Sequence, residues 1–180
     1  IYFSPVLNEL GNPKVETTIR GAYPGWDFRP INAQFLGVDG YVDLGPTAPV
    51  GLKVLGGLVR SEDAETGNHL VGTPADYLSL AFVARAPSLG AVDELEVGVG
   101  VELVASQSRV DPALDFAPPP PGYALLGASL SATVGHKRPL RVGVDAHNLL
   151  NARYRDYSSL IRYYADQPGR DIRLRAGMDF

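Results

Sequence analysis

Strict alternation of apolar and polar residues is the feature that most constrains this chain. From Glu94 to Ala105, Leu95, Val97, Val99, Val101, Leu103 and Ala105 fall on one parity. Glu94, Glu96, Gly98, Gly100 and Glu102 fall on the other. A helix would spread both sets around its circumference, whereas a strand sends them to opposite faces. The same period recurs. Ala124, Leu126, Ala128, Leu130, Ala132 and Val134 oppose Tyr123, Gly127, Ser129, Ser131 and Thr133, with Leu125 as the exception. Leu140, Val142, Val144 and Ala146 oppose Arg141, Gly143, Asp145 and His147. Ile172, Leu174, Ala176, Met178 and Phe180 oppose Asp171, Arg173, Arg175 and Asp179. Asp76–Arg85 follows the rule through Leu78, Leu80, Phe82 and Ala84, and Val50–Leu58 follows it more weakly. In Phe28–Leu44 the parity switches near Gly37, where a bulge would restore one apolar face.

The connections alternate in length. Short ones fall near Gly45–Ala48, Pro87–Ala91 and Gly135–Arg138; long ones fall at Ser61–Pro74, Ser106–Pro121 and Asn151–Gly169. With a partial strand at Ile1–Phe3 and a long loop to Trp26, the reading is all-β: an antiparallel up-and-down meander of about eight strands. Short turns gather at one end and long loops at the other.

Periodicity alone leaves the direction of the apolar face open. In a soluble sandwich or small-ligand-binding barrel, the apolar faces meet inside. In a membrane barrel they meet lipid, and the polar faces line a wet lumen. Three details favour the membrane. The apolar parity is mostly Leu, Val and Ala, with few aromatics to fill a core. The opposite parity holds Gly and Ser as often as charge. Tyr123, Tyr154, Tyr157, Tyr163 and Tyr164 cluster at strand ends, where interfacial aromatics would sit. No stretch is long and apolar enough for a membrane helix, which says nothing against strands.

The 180 residues carry 16 basic and 20 acidic side chains, and the net charge of −4 argues against a duplex nucleic-acid binder. Without cysteine there is no disulfide framework or thiolate chemistry. No Walker loop, complete dinucleotide-binding glycine motif, nucleophile elbow or zinc-protease helix occurs, so no enzyme and no bound cofactor are expected. His69, His136 and His147 lie in three separate segments, so no metal site is expected from them. Glu62, Asp63 and Glu65 read as a solvated acidic loop, and Asp111–Pro121 as a proline-rich spacer. Tyr157, Leu160, Ile161 and Tyr164 have helical spacing, although Tyr163 and Tyr164 could equally open the last strand.

At its C-terminus the chain resembles a family. Asn148-Leu149-Leu150-Asn151, the Tyr-rich stretch through Arg162-Tyr163-Tyr164-Ala165-Asp166, then Pro168-Gly169-Arg170 and a strand ending in Phe180 look like the end of a TonB-dependent outer-membrane receptor. Pro121-Gly122-Tyr123, Gly21-Ala22-Tyr23-Pro24 and Asn32-Ala33-Gln34 extend the resemblance over most of the chain. It departs at Leu150, where Phe is commoner, and at Asp39, where Glu often follows the glycine. The resemblance implies that residues 1–180 are the C-terminal portion of a roughly 22-stranded transmembrane β-barrel, with the plug domain and earlier strands lying elsewhere. It implies energy-coupled uptake of a scarce ligand, such as a ferric siderophore, haem, cobalamin or a metal complex, in the outer membrane of a Gram-negative cell. The implied partners are TonB, acting through the plug, the barrel assembly machinery and the lipid bilayer. Phe180, with Met178 and Leu174, would form the assembly signal. Arg141, Asp145, His147, Arg173 and Arg175 would face the lumen. A porin or an adhesin barrel, and the soluble ligand-binding barrel, are the alternative readings.

Overall fold

A computed structural model describes residues 2–135 and 139–178, with the backbone alone for residues 2–4, 28 and 29. Phe180 and His136 lie outside the described residues. Seven strands form one antiparallel meander: β5 (Ala33–Leu44), β6 (Val50–Asp63), β7 (Tyr77–Leu89), β8 (Val92–Val104), β9 (Tyr123–Val134), β10 (Leu140–His147) and β11 (Asp171–Met178). Each strand pairs with its neighbours in sequence, in spatial order from β5 to β11. Four shorter strands precede them. β1 (Tyr2–Pro5) pairs with β4 (Trp26–Arg29), and β2 (Val15–Thr18) pairs with β3 (Gly21–Pro24). The partial first strand therefore exists, but it pairs with β4 outside the main sheet. The segment expected to be a loop before Trp26 holds the β2–β3 hairpin.

The registers keep every apolar stripe on a single face. Val97 stands opposite Ala84 and Leu130, Val99 opposite Phe82 and Ala128, and Val144 opposite Leu130 and Leu174. Among the described residues, no second sheet packs on this face. Val97, Leu130, Val142 and Leu174 are exposed, with Val99 at 50 % and Leu174 at 79 %. The buried strand residues lie on the opposite parity instead, as Val83 (4 %) and Leu125 (3 %) show, together with Gly51, Gly98 and Gly143. Crowding on one face and exposure on the other is what a curved sheet produces, and the polar parity is the concave side.

Two expectations need correction. The β5–β6 ladder runs unbroken from Ala33 opposite Asp63 to Leu44 opposite Leu52, so there is no bulge at Gly37. Ala33 and Phe35 instead share the polar face, because continuous pairing to β6 holds the register. The bulge lies in β8, between Asp93 and Glu96, where Glu94 has φ of 51° and accepts a hydrogen bond from Thr133 Oγ1 at 2.9 Å. Pro87, expected in a turn, sits within β7 beside this irregularity, a place where a residue without an N–H is tolerated. The actual turn is Gly90–Ala91, and Gly90 supplies the left-handed φ of 66°.

Candidate functional site: the concave face and its loop end

The concave face carries a cleft of about 550 Å³ lined by Lys53, Glu96, Ser129, Asp145, His147 and Arg173. Its floor is the small-residue centre of β8 and β9, including Gly98, Gly100 and Gly127. A Cβ added at Gly100 would lie 3.0 Å from the Leu80 carbonyl oxygen and 3.1 Å from the Ala81 Cβ, so curvature leaves no room there. Ionic pairs stand on both sides of the floor. On one side Glu96 meets Arg85 Nε at 2.9 Å and Lys53 Nζ at 3.7 Å. Arg85 also donates to the Gly45 carbonyl at 3.0 Å, which ties a short turn to the wall. On the other side Arg175 meets Asp145 at 2.7 Å, and Arg173 meets Asp171 at 2.5 Å.

Strand register places all five sequence candidates, Arg141, Asp145, His147, Arg173 and Arg175, on this one face. Asp145, His147 and Arg173 line the cleft, and Arg175 reaches it through Asp145. Arg141 stands nearer the short-turn end, opposite Thr133 and Gly177. Such a surface can balance charge in water and present paired donors and acceptors to a polar body resting on it. Among the described residues, no three His, Asp or Glu side chains converge to hold a metal ion.

At the long-loop end, the tyrosines are arranged differently from an interfacial belt. Tyr157 is buried and donates its hydroxyl to Asp115 at 3.1 Å; Tyr163 donates to the same carboxylate at 2.7 Å. Arg162 completes the set, donating to both Asp115 oxygens at 2.7 and 2.9 Å with both side chains only 3 % exposed. Its guanidinium is packed against the rings of Tyr157 and Tyr163, 4.3 and 4.2 Å from their centroids. Burial, and then the hydrogen bond to Asp115, push the Tyr163 hydroxyl far above the ordinary tyrosine value. Phe116 meets Tyr163 edge-to-face at 5.8 Å, Trp26 lies tilted against it at 5.7 Å, and Tyr123 packs on Tyr154 at 4.5 Å. Of the five tyrosines, Tyr164 is exposed; Tyr157 and Tyr163 belong to a loop core, because a shared carboxylate and cation hold them there.

Sequence reasoning missed Asp115, Arg162, Trp26 and Phe116. The proline-rich stretch read as a spacer contributes one half of a buried ion pair. The helical spacing after Tyr157 becomes a 3-10 turn, Leu160–Tyr163, capped by the Ser159 side chain, and the last strand opens only at Asp171. The Asn148–Asn151 tetrad acquires a physical reason. Both asparagines adopt left-handed φ, of 50° and 54°. Asn148 is fully buried and bonds both backbone groups of Ala152, at 2.8 and 2.9 Å. Asn151 accepts from the Arg170 N–H at 3.0 Å, which joins the two ends of the loop.

No family model matches the chain, and no curated protein matches it. Among solved structures it is similar to one titled copper transporter OprC. The TM-score is 0.64 at 13 % identity, over 87 % of this chain. The chain spans 24 % of the length of that protein. At this identity the likeness concerns the fold: an antiparallel meander sheet that recurs within a larger transporter.

Proposed function

We propose that residues 1–180 form the C-terminal part of the barrel domain of a TonB-dependent receptor in the outer membrane of a Gram-negative cell. Its task is energy-coupled uptake of a scarce ligand. Ferric siderophores, haem, cobalamin and other metal complexes define the cargo class. The observation that carries the reading is the open apolar face: seven adjacent strands present Leu, Val, Ala and Phe outward, and among the described residues no sheet lies against them. A contiguous apolar surface of that extent is unfavourable in water and favourable against lipid. The concave face supplies the complementary half, with charged pairs around a floor of small residues where a plug and a passing ligand would lie. Structural likeness to a copper transporter is consistent with this class of protein. TonB would act through the plug, and the barrel assembly machinery would recognise the final strand, with Leu174, Met178 and Phe180 on its lipid-facing parity.

The test is fractionation of the full-length protein, followed by uptake. The expected result is a heat-modifiable band in the outer membrane and accumulation of a radiolabelled ferric siderophore or copper complex that stops when the proton-motive force is collapsed. A protein that remains in the periplasm, dispersed without detergent, would overturn the membrane assignment. Uptake that is insensitive to the proton-motive force would instead favour a porin.

A further inference from the structure

The three long loops of the sheet are joined to one another, and the middle one makes both joints. The loop between β8 and β9 sends Gln107, 2 % exposed, back to the carbonyls of Thr73 and Pro74 in the β6–β7 loop, at 3.0 and 3.2 Å. Arg109 follows it to Asp76 at 3.1 Å, a carboxylate that also takes Arg60 at 2.6 Å. Farther along the same loop, Asp115 takes Arg162, Tyr157 and Tyr163 from the β10–β11 loop. Its neighbour Phe116 packs on Tyr163 and on Trp26 of β4. Gln107, Asp115, Arg162 and Tyr157 are buried, whereas Arg60, Asp76 and Arg109 are about a third exposed. Removing one partner leaves a buried amide unpaired at the Gln107 joint and a buried charge unpaired at the Asp115 joint, a penalty that surface loops rarely carry.

We propose that the β8–β9 loop is a keystone that locks the three long loops into one collar, so that they open together and not as independent flaps. The four prolines at 118–121 stiffen its return path. The pocket of about 420 Å³ between these prolines and Arg153, Tyr154 and Arg155 is then assembled in advance of any ligand. The inference concerns loop coupling alone and stands whether the apolar face meets lipid or another partner.

Hydrogen exchange read by mass spectrometry on the full-length protein in detergent tests it. In the parent, peptides covering Asp111–Ala117 and Asp156–Ala165 should share one opening rate. Asp115→Asn should speed exchange in both peptides together, by about tenfold or more, while strands β8 and β9 keep their protection. Gln107→Ala should speed exchange in the 70–76 segment and in both of those peptides together, and acceleration confined to the 70–76 segment would overturn the proposal. Asp166→Asn, which breaks only the half-exposed Arg155–Asp166 pair, should leave the common rate unchanged. Acceleration of one loop alone in Asp115→Asn would overturn the proposal. Distinct opening rates for the two peptides in the parent would overturn it too, and that measurement does not depend on any variant assembling.

Discussion

Tyr163 and Asp76 make opposite predictions about pH, because their carboxyl and hydroxyl groups are shifted in opposite directions. The Tyr163 hydroxyl is raised by burial, so its neutral form is favoured in the folded loops. Its stabilising contribution is fully present below the ordinary tyrosine value of about 10 and is lost as pH rises beyond it. Phenolate absorbance should therefore appear late for this residue, and protease sensitivity of the 148–170 loop should increase above that pH. Asp76 is lowered, first by its hydrogen bond to Arg60, so the tie from Asp76 to Arg60 and Arg109 is complete above about pH 4 and fails as pH falls further. Proteolysis of the 64–76 loop should increase in acid, while the strands remain protected. The same loop kept resistant at pH 3 would show that Asp76 does not hold it.

Elements are governed by parity, and parity makes a sharp contrast within β11. Leu174 and Arg173 are neighbours in sequence and occupy opposite faces. Leu174→Arg should cost about 2–4 kcal/mol if the convex face meets the hydrocarbon core, measured by urea unfolding in lipid vesicles, whereas Arg173→Gln should be close to neutral. From the sequence, Phe180→Asp should lower the amount of folded protein in the outer membrane, read by heat modifiability. At the other end of a strand, Gly122 precedes β9 where an added Cβ would lie 2.7 Å from the Val104 carbonyl oxygen. Gly122→Ala therefore forces the backbone to shift and should destabilise the protein by about 1–3 kcal/mol. Strands were legible in advance because a one-residue slip exchanges every side chain between faces, so the pattern had to be clean. Gly37 was misread because parity was taken from Ala33 and Phe35, two residues whose apolar side chains lie on the concave side near the loop end. The loop core was not legible at all. Asp115 and Arg162 are 47 positions apart, and no periodicity marks a contact that depends on how two irregular loops fold back.

Among the described residues, the main sheet is curved, ends in the edge strands β5 and β11, and has an apolar face that no second sheet covers. An isolated chain of these 180 residues should therefore associate through its edges when detergent is removed, which sedimentation can follow. On the proposed reading, the convex face meets lipid and the concave face meets water. Spin labels placed singly at Ala128, Leu130 and Ala132, and at Ser129 and Ser131, on β9 of the full-length protein in vesicles distinguish the two faces. Collision with dissolved oxygen and with a water-soluble nickel chelate should alternate along the strand. The even positions should favour oxygen, and the odd positions should favour the chelate or be shielded by a plug. Even positions shielded from oxygen, or more open to the chelate than the odd ones, would contradict the account.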